Sequence, residues 1–389
     1  MGIVQRLEGI NRRLSYAMLR PILRNRPVTA PIDTRGIRKI LLLRYDALGD
    51  MVVTTPMLEV IRHHLPAARI DVVASPRNVG IIRHEARITR RWIYDGTPRS
   101  LWRWACDGGL RSFRRVGREA RREGYDVVFG LVLSRMTEGG LMANLAGGRE
   151  AVKVTVEYPH RAHLYDALFN LQLPAVRDGM TMAEIQARLA CDAFGWPFDP
   201  GLCRLRIELG DENRERAAAF HRSIGSVPFA ALNISSGSDY RRWSVERNKE
   251  FLALLLEAHP RIRVVVLSSP EDTLEASALA AVDPARIAVF PPSSDILDVC
   301  AAIELCDMVV TPDTSIVHIG AAFGRPVLVL YSRLASYIAE WMPYGVPHRA
   351  VVTRERQPLD TISLPETMEA FEELYFGDGD LPHRWRSRR

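Results

Sequence analysis

KILLLRYDALGDMVVTTP, residues 39–56, decides how the first half of the chain is read. Ile40 to Leu43 form the continuous apolar run that a strand covered on both faces needs, and Leu58, Ile61 and Leu65 then recur at helical spacing. The period changes at Gly49-Asp50, so the pattern predicts a short buried strand, a tight Gly-Asp turn and a helix. In open α/β sheets ligands collect beyond the carboxyl ends of strands, which aims a polar residue in this turn into a crevice. Asp50 is therefore the leading candidate for a reacting group, with Asp46 a rival four residues earlier in the same loop.

Outward from this stretch, strands and helices alternate. IDVVA (70–74) and YDVVFG (125–130) read as short buried strands with arginine-rich helical material between them. The pattern lapses into a turn-rich stretch, GWPFDPGLCRLRIELGD (195–211), and a domain boundary is expected near 205–225. The second half repeats the scheme, with strands at 229–234, 263–268, 287–290, 307–311 and 326–331 and helices at 245–258, 271–281, 295–305 and 315–323. Such alternation builds parallel sheets, and two of them facing each other make a cleft. The expected domains are a basic amphipathic helix over 1–35, a Rossmann-like domain over 36–210, a second over 211–350, and a C-terminal helix with a basic tail over 351–389.

Composition agrees with two domains. A chain of 389 residues is too long for one ordinary core, and 47% hydrophobic residues can fill two. The five cysteines, Cys106, Cys191, Cys203, Cys300 and Cys306, are scattered with no CxxC pair, which points to a reducing compartment. No apolar run approaches the roughly 18 residues of a membrane span, and the N-terminus lacks the apolar core of a secretion signal, so a cytoplasmic location is expected.

The net charge of +6 is carried by arginine, since Lys39, Lys153 and Lys249 are the only lysines. Such a balance suits anionic partners. Residues 83–122 interleave arginines with Trp92, Trp102 and Trp104, but no recognisable nucleic-acid module is present, leaving a solvated basic face or a phosphate-bearing lipid or sugar. In residues 1–26, Ile3, Leu7, Ile10, Leu14 and Met18 keep helical spacing while six arginines face Glu8 alone. A helix of this kind lies on an anionic bilayer or docks on the first domain. HRWRSRR (383–389) repeats the signature at small scale.

Two further stretches read as anion seats. DMVVTPDTSIVHIGAAFGRPVLVLYS (307–332) is a buried strand turning at Thr311-Pro312 into a helix, with Asp313, Thr314 and Ser315 as capping residues and a stop at Gly324 ahead of Pro326. Free N–H groups and the dipole at such a helix start hold phosphate oxygens, and the Thr314 and Ser315 hydroxyls add donors. The plainer reading makes these residues caps only, and makes His318, on the first turn, a structural histidine and not a second anion contact. NISSGSDYRRWSVERNKEFLALL (233–255) is again strand, small-residue loop and helix, with Ser244 as cap. Arg241 and Arg242 there can grip a diphosphate through forked hydrogen bonds, or be surface charge. In the next loop, Ser268-Ser269-Pro270-Glu271, Glu271 can accept from ribose hydroxyls or merely complement the helix dipole. All these loops follow strands at their carboxyl ends. No GxGxxG follows any strand, and GxxxxGK[ST], HExxH and GxSxG are absent from the sequence.

KILLLRYDALGDMVVTTPMLEVIRHHLP (39–66) and VVTPDTSIVHIGAAFGRPVLVLY (309–331) resemble, in order, the opening and the donor-binding segment of glycosyltransferase family 9, the bacterial ADP-heptose:lipopolysaccharide heptosyltransferases. The similarity spans about residues 38–332. It implies an α/β GT-B architecture of two Rossmann-like domains around a central cleft, with the nucleotide-sugar chiefly on the second and the acceptor, a lipid-linked or lipopolysaccharide-type glycan, chiefly on the first. It implies Asp50 as general base; Gly49, Asp46 and Thr54, in the same stretch, are expected on the acceptor side. The family's lysine ahead of Trp-Pro corresponds to Arg241 or Arg242 before Trp243, its Asp-Thr-Gly helix start to Asp313-Thr314-Ser315, and its histidine to His318. Arginine for lysine alters reach, and Ser315 where glycine is usual narrows backbone approach to the phosphates.

The implied reaction inverts the sugar. Asp50 takes the acceptor's proton while Arg241, Arg242 and the N–H groups at Thr314 and Ser315 hold the charge on departing ADP, with no metal and no cofactor. An acid at a helix start is expected to remain ionised. Nucleic acid is not an expected partner. A GT-B-like nucleotide-sugar epimerase and a non-catalytic nucleotide-binding protein are the other readings.

Overall fold

Ile40, Leu41, Leu42 and Leu43 are fully buried, as a strand with helices on both faces requires. They belong to β1 (Lys39–Leu43) in a computed structural model that describes residues 19–96, 108–157, 165–174, 179–335 and 337–376. The chain continues through α1 (Leu48–Val52), α2 (Thr55–His64), β2 (Arg69–Ala74), β3 (Arg90–Ile93), α3 (Gly109–Arg121), β4 (Val127–Gly130), α4 (Met136–Gly147), β5 (Val152–Val156), β6 (Leu171–Leu173) and α5 (Met182–Phe194). These strands make one six-stranded parallel sheet in the order β3-β2-β1-β4-β5-β6.

A second set follows: α6 (Asp211–Ser223), β7 (Ala230–Asn233), α7 (Val245–Ala258), β8 (Val264–Leu267), α8 (Thr273–Ala280), β9 (Ile287–Val289), α9 (Ile296–Leu305), β10 (Met308–Pro312), α10 (Ser315–Ala322), β11 (Val327–Tyr331), β12 (His348–Val352) and α11 (Leu364–Phe376). Its six strands are also parallel, ordered β12-β11-β10-β7-β8-β9. Read from the other edge, this is the doubly wound order of the first sheet, so each sheet reverses direction beside its first strand, between β1 and β4 or between β7 and β10.

The chain divides into two compact units, one holding the described part of Met1–Asp178 with Ala183–Cys203, the other Gly179–Met182 with the described part of Arg204–Arg389. Each has its own core. Leu41, Leu43, Phe113, Val116, Met142 and Phe169 are among the buried residues of the first, and Leu232, Phe251, Val266, Leu328 and Phe371 among those of the second. Phe371 and Leu374 bring α11 into that second core.

The α/β architecture is the expected one, and the predicted strands of the second half all form. Two local expectations are corrected. Gly49 and Asp50 do not make a turn but lie inside α1, because the backbone enters helix at Leu48. The arginine-rich material between β2 and β4 is not wholly helical, since Arg90–Ile93 forms β3 at the sheet edge.

Several arginines in and around this region serve the fold. Arg62 donates to the carbonyls of Pro66, Ala68 and Arg87, and Arg91 to those of Ile82, Glu85 and Ile88. Arg87 pairs with Glu85 and Glu59, and Glu123 gathers Lys39, Arg69 and Arg90 where their strands begin.

Of the N-terminal segment, residues 1–18 lie outside the described residues, as does the tail 383–389. The part that is described docks on the first unit. Leu19 and Leu23 pack against its core, Arg20 pairs with Asp166 at 3.0 Å, and Asn25 donates to Asn144 Oδ1 and to the carbonyl of Ala167. Asn25 Oδ1 also accepts from the fully buried Lys153 at 2.9 Å. Among the described residues no helix is long and apolar enough to cross a membrane.

Candidate active site

The crevice expected at a doubly wound sheet's reversal point directs attention to the loops after β1 and β4. β1 ends at Leu43 and runs straight into Arg44, whose side chain is only 1% exposed. Burying a guanidinium is costly unless its donors are met by carboxylates or hydroxyls. Arg44 Nη1 reaches Asp46 Oδ2 at 3.0 Å and Asp50 Oδ1 at 3.2 Å, and Nε donates to Thr54 Oγ1 at 2.9 Å. Thr54 Oγ1 in turn donates to the carbonyl of Asp50. One cation thus holds two acids, and the start of α2 is tied to the first turn of α1.

Asn78, fully buried, fixes the loop from below. Its Nδ2 donates to the Arg44 carbonyl at 3.0 Å, while its Oδ1 accepts from the N–H of Ser75 after β2. From the far side Arg135, in the loop after β4, donates to the carbonyls of Tyr45 and Gly96 and lies over the Tyr45 ring.

Asp50 does not keep the ordinary acidity of an exposed aspartate. Burial, and then the negative charge of Asp46, push it up to about 7, against the pull of Arg44. The helix start was expected to keep this acid ionised; here desolvation works against it. Of the pair, Asp50 is the more accessible, its side chain 21% exposed against 12% for Asp46. Thr54, expected on the acceptor side, is buried and spends its hydroxyl on Arg44 and on the Asp50 carbonyl. Gly49 sits half-buried inside α1 beside Asp50.

In the second unit the loops after β7, β8 and β10 are joined by short side chains. Asn233, the last residue of β7, donates to Thr311 Oγ1 at 2.9 Å and to Thr314 Oγ1 at 3.3 Å, crossing the reversal point between β7 and β10. Thr314 is the N-cap of α10, its hydroxyl accepting from the N–H of Ile316. Of the three capping candidates, Thr314 does the capping. Asp313 instead pairs with Arg241, whose Nη1 meets its carbonyl and its Oδ2, each at 3.2 Å. Burial pushes the Asp313 carboxyl up, and Arg241 opposes the shift. Ser315 opens α10 half-buried.

Arg242 is engaged elsewhere, its Nη2 donating to Asp272 Oδ1 at 2.8 Å and Glu275 Oε2 at 2.7 Å. Asp272 also accepts from the hydroxyls of Ser235 and Ser269. Burial would raise this carboxyl, but those hydroxyls and Arg242 hold it below its usual value. Glu271 stands exposed in the single 3-10 turn Pro270–Asp272, so the acid joining the β7 and β8 loops is its neighbour Asp272. His318 is buried, its ring 5.8 Å from that of Trp341, and burial lowers it to about 4, which keeps it neutral.

Arg241, Asp313, Thr314 and Ser315 are therefore brought together around the α10 start, and Asp46, Asp50 and Thr54 around Arg44. Arg242 is held by Asp272 and Glu275, Glu271 is exposed beside Asp272, and His318 is buried on α10 against Trp341. Sequence reasoning passed over Arg44, Asn78, Asn233 and Asp272. The signal for Arg44 was present: a charge directly following an apolar run, two and six residues ahead of two acids.

Two doubly wound parallel sheets, each with its own core, are the parts of a GT-B architecture. The model of "Glycosyltransferase family 9 (heptosyltransferase)" matches residues 113–370, and the chain belongs to that family. Solved structures share the fold. A family 9 glycosyltransferase from Veillonella parvula superposes with a TM-score of 0.72 at 20% identity, covering 87% of this chain and 97% of its own. The E. coli ADP-heptose lipopolysaccharide heptosyltransferase II gives 0.67 at 18%, covering 86% and 98%. The E. coli heptosyltransferase WaaC with ADP gives 0.64 at 18%, covering 86% and 99%. No curated protein matches the sequence.

Proposed function

We propose that this glycosyltransferase inverts the sugar it transfers, moving heptose from ADP-heptose onto a hydroxyl of a lipopolysaccharide core or related cell-surface glycan, at the inner face of the cytoplasmic membrane. The observation that carries the reading is the Asp46–Arg44–Asp50 cluster, which leaves one carboxylate accessible and titrating at about 7. A general base works best when its acidity lies near the working pH, and such assistance is typically worth about 10² to 10⁴ in rate. Direct displacement at the anomeric carbon needs an acceptor hydroxyl deprotonated on one face and a diphosphate stabilised on the other. Asp50 takes the proton. Arg44 stays between the two acids and keeps Asp46 as its standing counter-ion.

On the donor side Arg241 and the N–H groups that open α10 receive the charge growing on ADP, an electrostatic task that the scheme meets without metal or cofactor. The Nε of Arg241 is buried without a partner and supplies a donor for phosphate. The structure of WaaC with ADP, which has the same fold, supports a nucleotide-sugar donor with that base.

ADP release from ADP-heptose in the presence of a core-oligosaccharide acceptor tests the assignment. Asp50→Asn should abolish transfer with ADP binding retained. Full turnover by a well-folded Asp50→Asn protein refutes the role of Asp50, and consumption of the donor without any acceptor favours epimerisation.

A further inference from the structure

Arginines of the first unit fall into two sets. Arg62, Arg69, Arg87, Arg90 and Arg91 are bound to carbonyls or carboxylates. On α3 the case is different. Arg111, Arg114, Arg115 and Arg118, with Arg122 just past the helix end, are exposed, and none has a hydrogen-bond or ion-pair partner among the described residues. Their three- and four-residue steps put them on one side of the helix.

The opposite side is seated firmly. Ser112, Phe113, Val116, Gly117 and Ala120 are buried, and a Cβ added at Gly117 would collide with Leu145 of α4. Rolling the helix to hide its charges is therefore closed off. Like charges three and four apart destabilise a helix, a cation in the first turn opposes the dipole, and Glu119 is the one acid α3 holds against them. Arg118 and Arg122 complement the dipole at the helix end, but the row repels itself along its length, a cost that an anionic partner would offset.

We propose that the exposed face of α3 seats the protein on an anionic phospholipid bilayer, with its guanidinium groups on lipid phosphates. The forked guanidinium suits phosphate, and a rigid helix about 20 Å long presents the forks in a straight row, as a flat phosphate layer requires. This face carries no aromatic ring, so it offers no platform for stacking single-stranded bases. The segment that packs on the same hydrophobic core presents Ile22, 65% exposed, between exposed Arg20 and Arg24, an apolar side chain for the headgroup boundary. The inference holds whichever sugar is transferred.

Sedimentation of the full chain with vesicles of phosphatidylcholine, alone or mixed with phosphatidylglycerol, tests it. Binding is expected only with phosphatidylglycerol and should fall as salt rises. Arg114→Gln/Arg115→Gln/Arg118→Gln should weaken it about 100-fold, and Arg111→Gln/Arg118→Gln/Arg122→Gln by a similar factor. Melting temperatures within a few degrees of the parent's will show that both variants fold. Undiminished vesicle binding by the two folded variants overturns the proposal. So does loss of binding only in Arg6→Gln/Arg12→Gln/Arg13→Gln, or a preference of the parent for duplex nucleic acid over vesicles at the same salt.

Discussion

The two units wind six parallel strands in one order, yet their reversal points hold opposite chemistry. After β1 a buried cation is shared by two carboxylates, and one of these is left near half-ionised at neutral pH. After β7 and β10 the groups are hydroxyls, a side-chain amide and a helix start, with Arg241 on Asp313. In the proposed reaction the first arrangement exchanges a proton and the second holds charge still. One topology supports both because the strand order fixes only where a crevice lies, while the first residues past each strand decide what it does.

That contrast breaks most sharply at Asp50. Asp50→Asn should lower kcat by about 10³ or more while the Kd for ADP, measured by calorimetry, stays within about twofold. Removing the cation of the second unit should act the other way: Arg241→Met is expected to weaken ADP binding by about 10- to 100-fold, as loss of a charge-assisted hydrogen bond would, without moving the pH midpoint of kcat.

A third expectation concerns stability. Because Asp50 is raised from 3.8 to about 7 in the folded chain, the fold binds the extra proton between those values and loses stability as pH rises through that window. Asp50→Asn should therefore stabilise the protein above pH 7, by at most about 4 kcal/mol, with the gain vanishing below about pH 4; urea melts at pH 4 and pH 8 read the difference. The smallest effect is a null one. His318, lowered to about 4, stays neutral through the working range, so affinity for ADP-heptose, whose diphosphate diester does not titrate there as the terminal phosphate of free ADP does, should be flat from about pH 5.5 to 8 while kcat climbs through about 7. A parallel pH dependence of both quantities would undo the division of labour.

Sequence periodicity exposed β1, β2, β4 and β7 to β11, the edge strand β9 among them, and passed over β3, β5, β6 and β12. β1, β7, β8, β10 and β11 are covered on both faces and read as unbroken apolar runs. β3 and β12 lie at the edges, and RRWI and HRAVV leave several side chains in solvent, so no apolar run marks them. The candidate site was legible where chemistry sits on a strand end or a helix start, as with Asp50 and Thr314. It was hidden where a residue works through others. Arg44, Asn78, Asn233 and Asp272 join loops far apart in sequence, and only the folded sheet puts their partners within reach. The family model match begins at residue 113, past the Asp50 loop, so the role of that acid stands on geometry and on the resemblance of 39–66.

Asn25 has a consequence for any shortened form of the chain. Its carbonyl oxygen receives the ammonium of Lys153, which burial, with Arg121 nearby, has already brought down to about 8. A protein begun at Gly36 would keep that lysine in the interior with its acceptor gone, and an orphaned buried donor costs about 1–3 kcal/mol. The amputated enzyme would be less stable for a reason unrelated to lipid, and its poorer recovery from vesicles would be mistaken for a missing anchor.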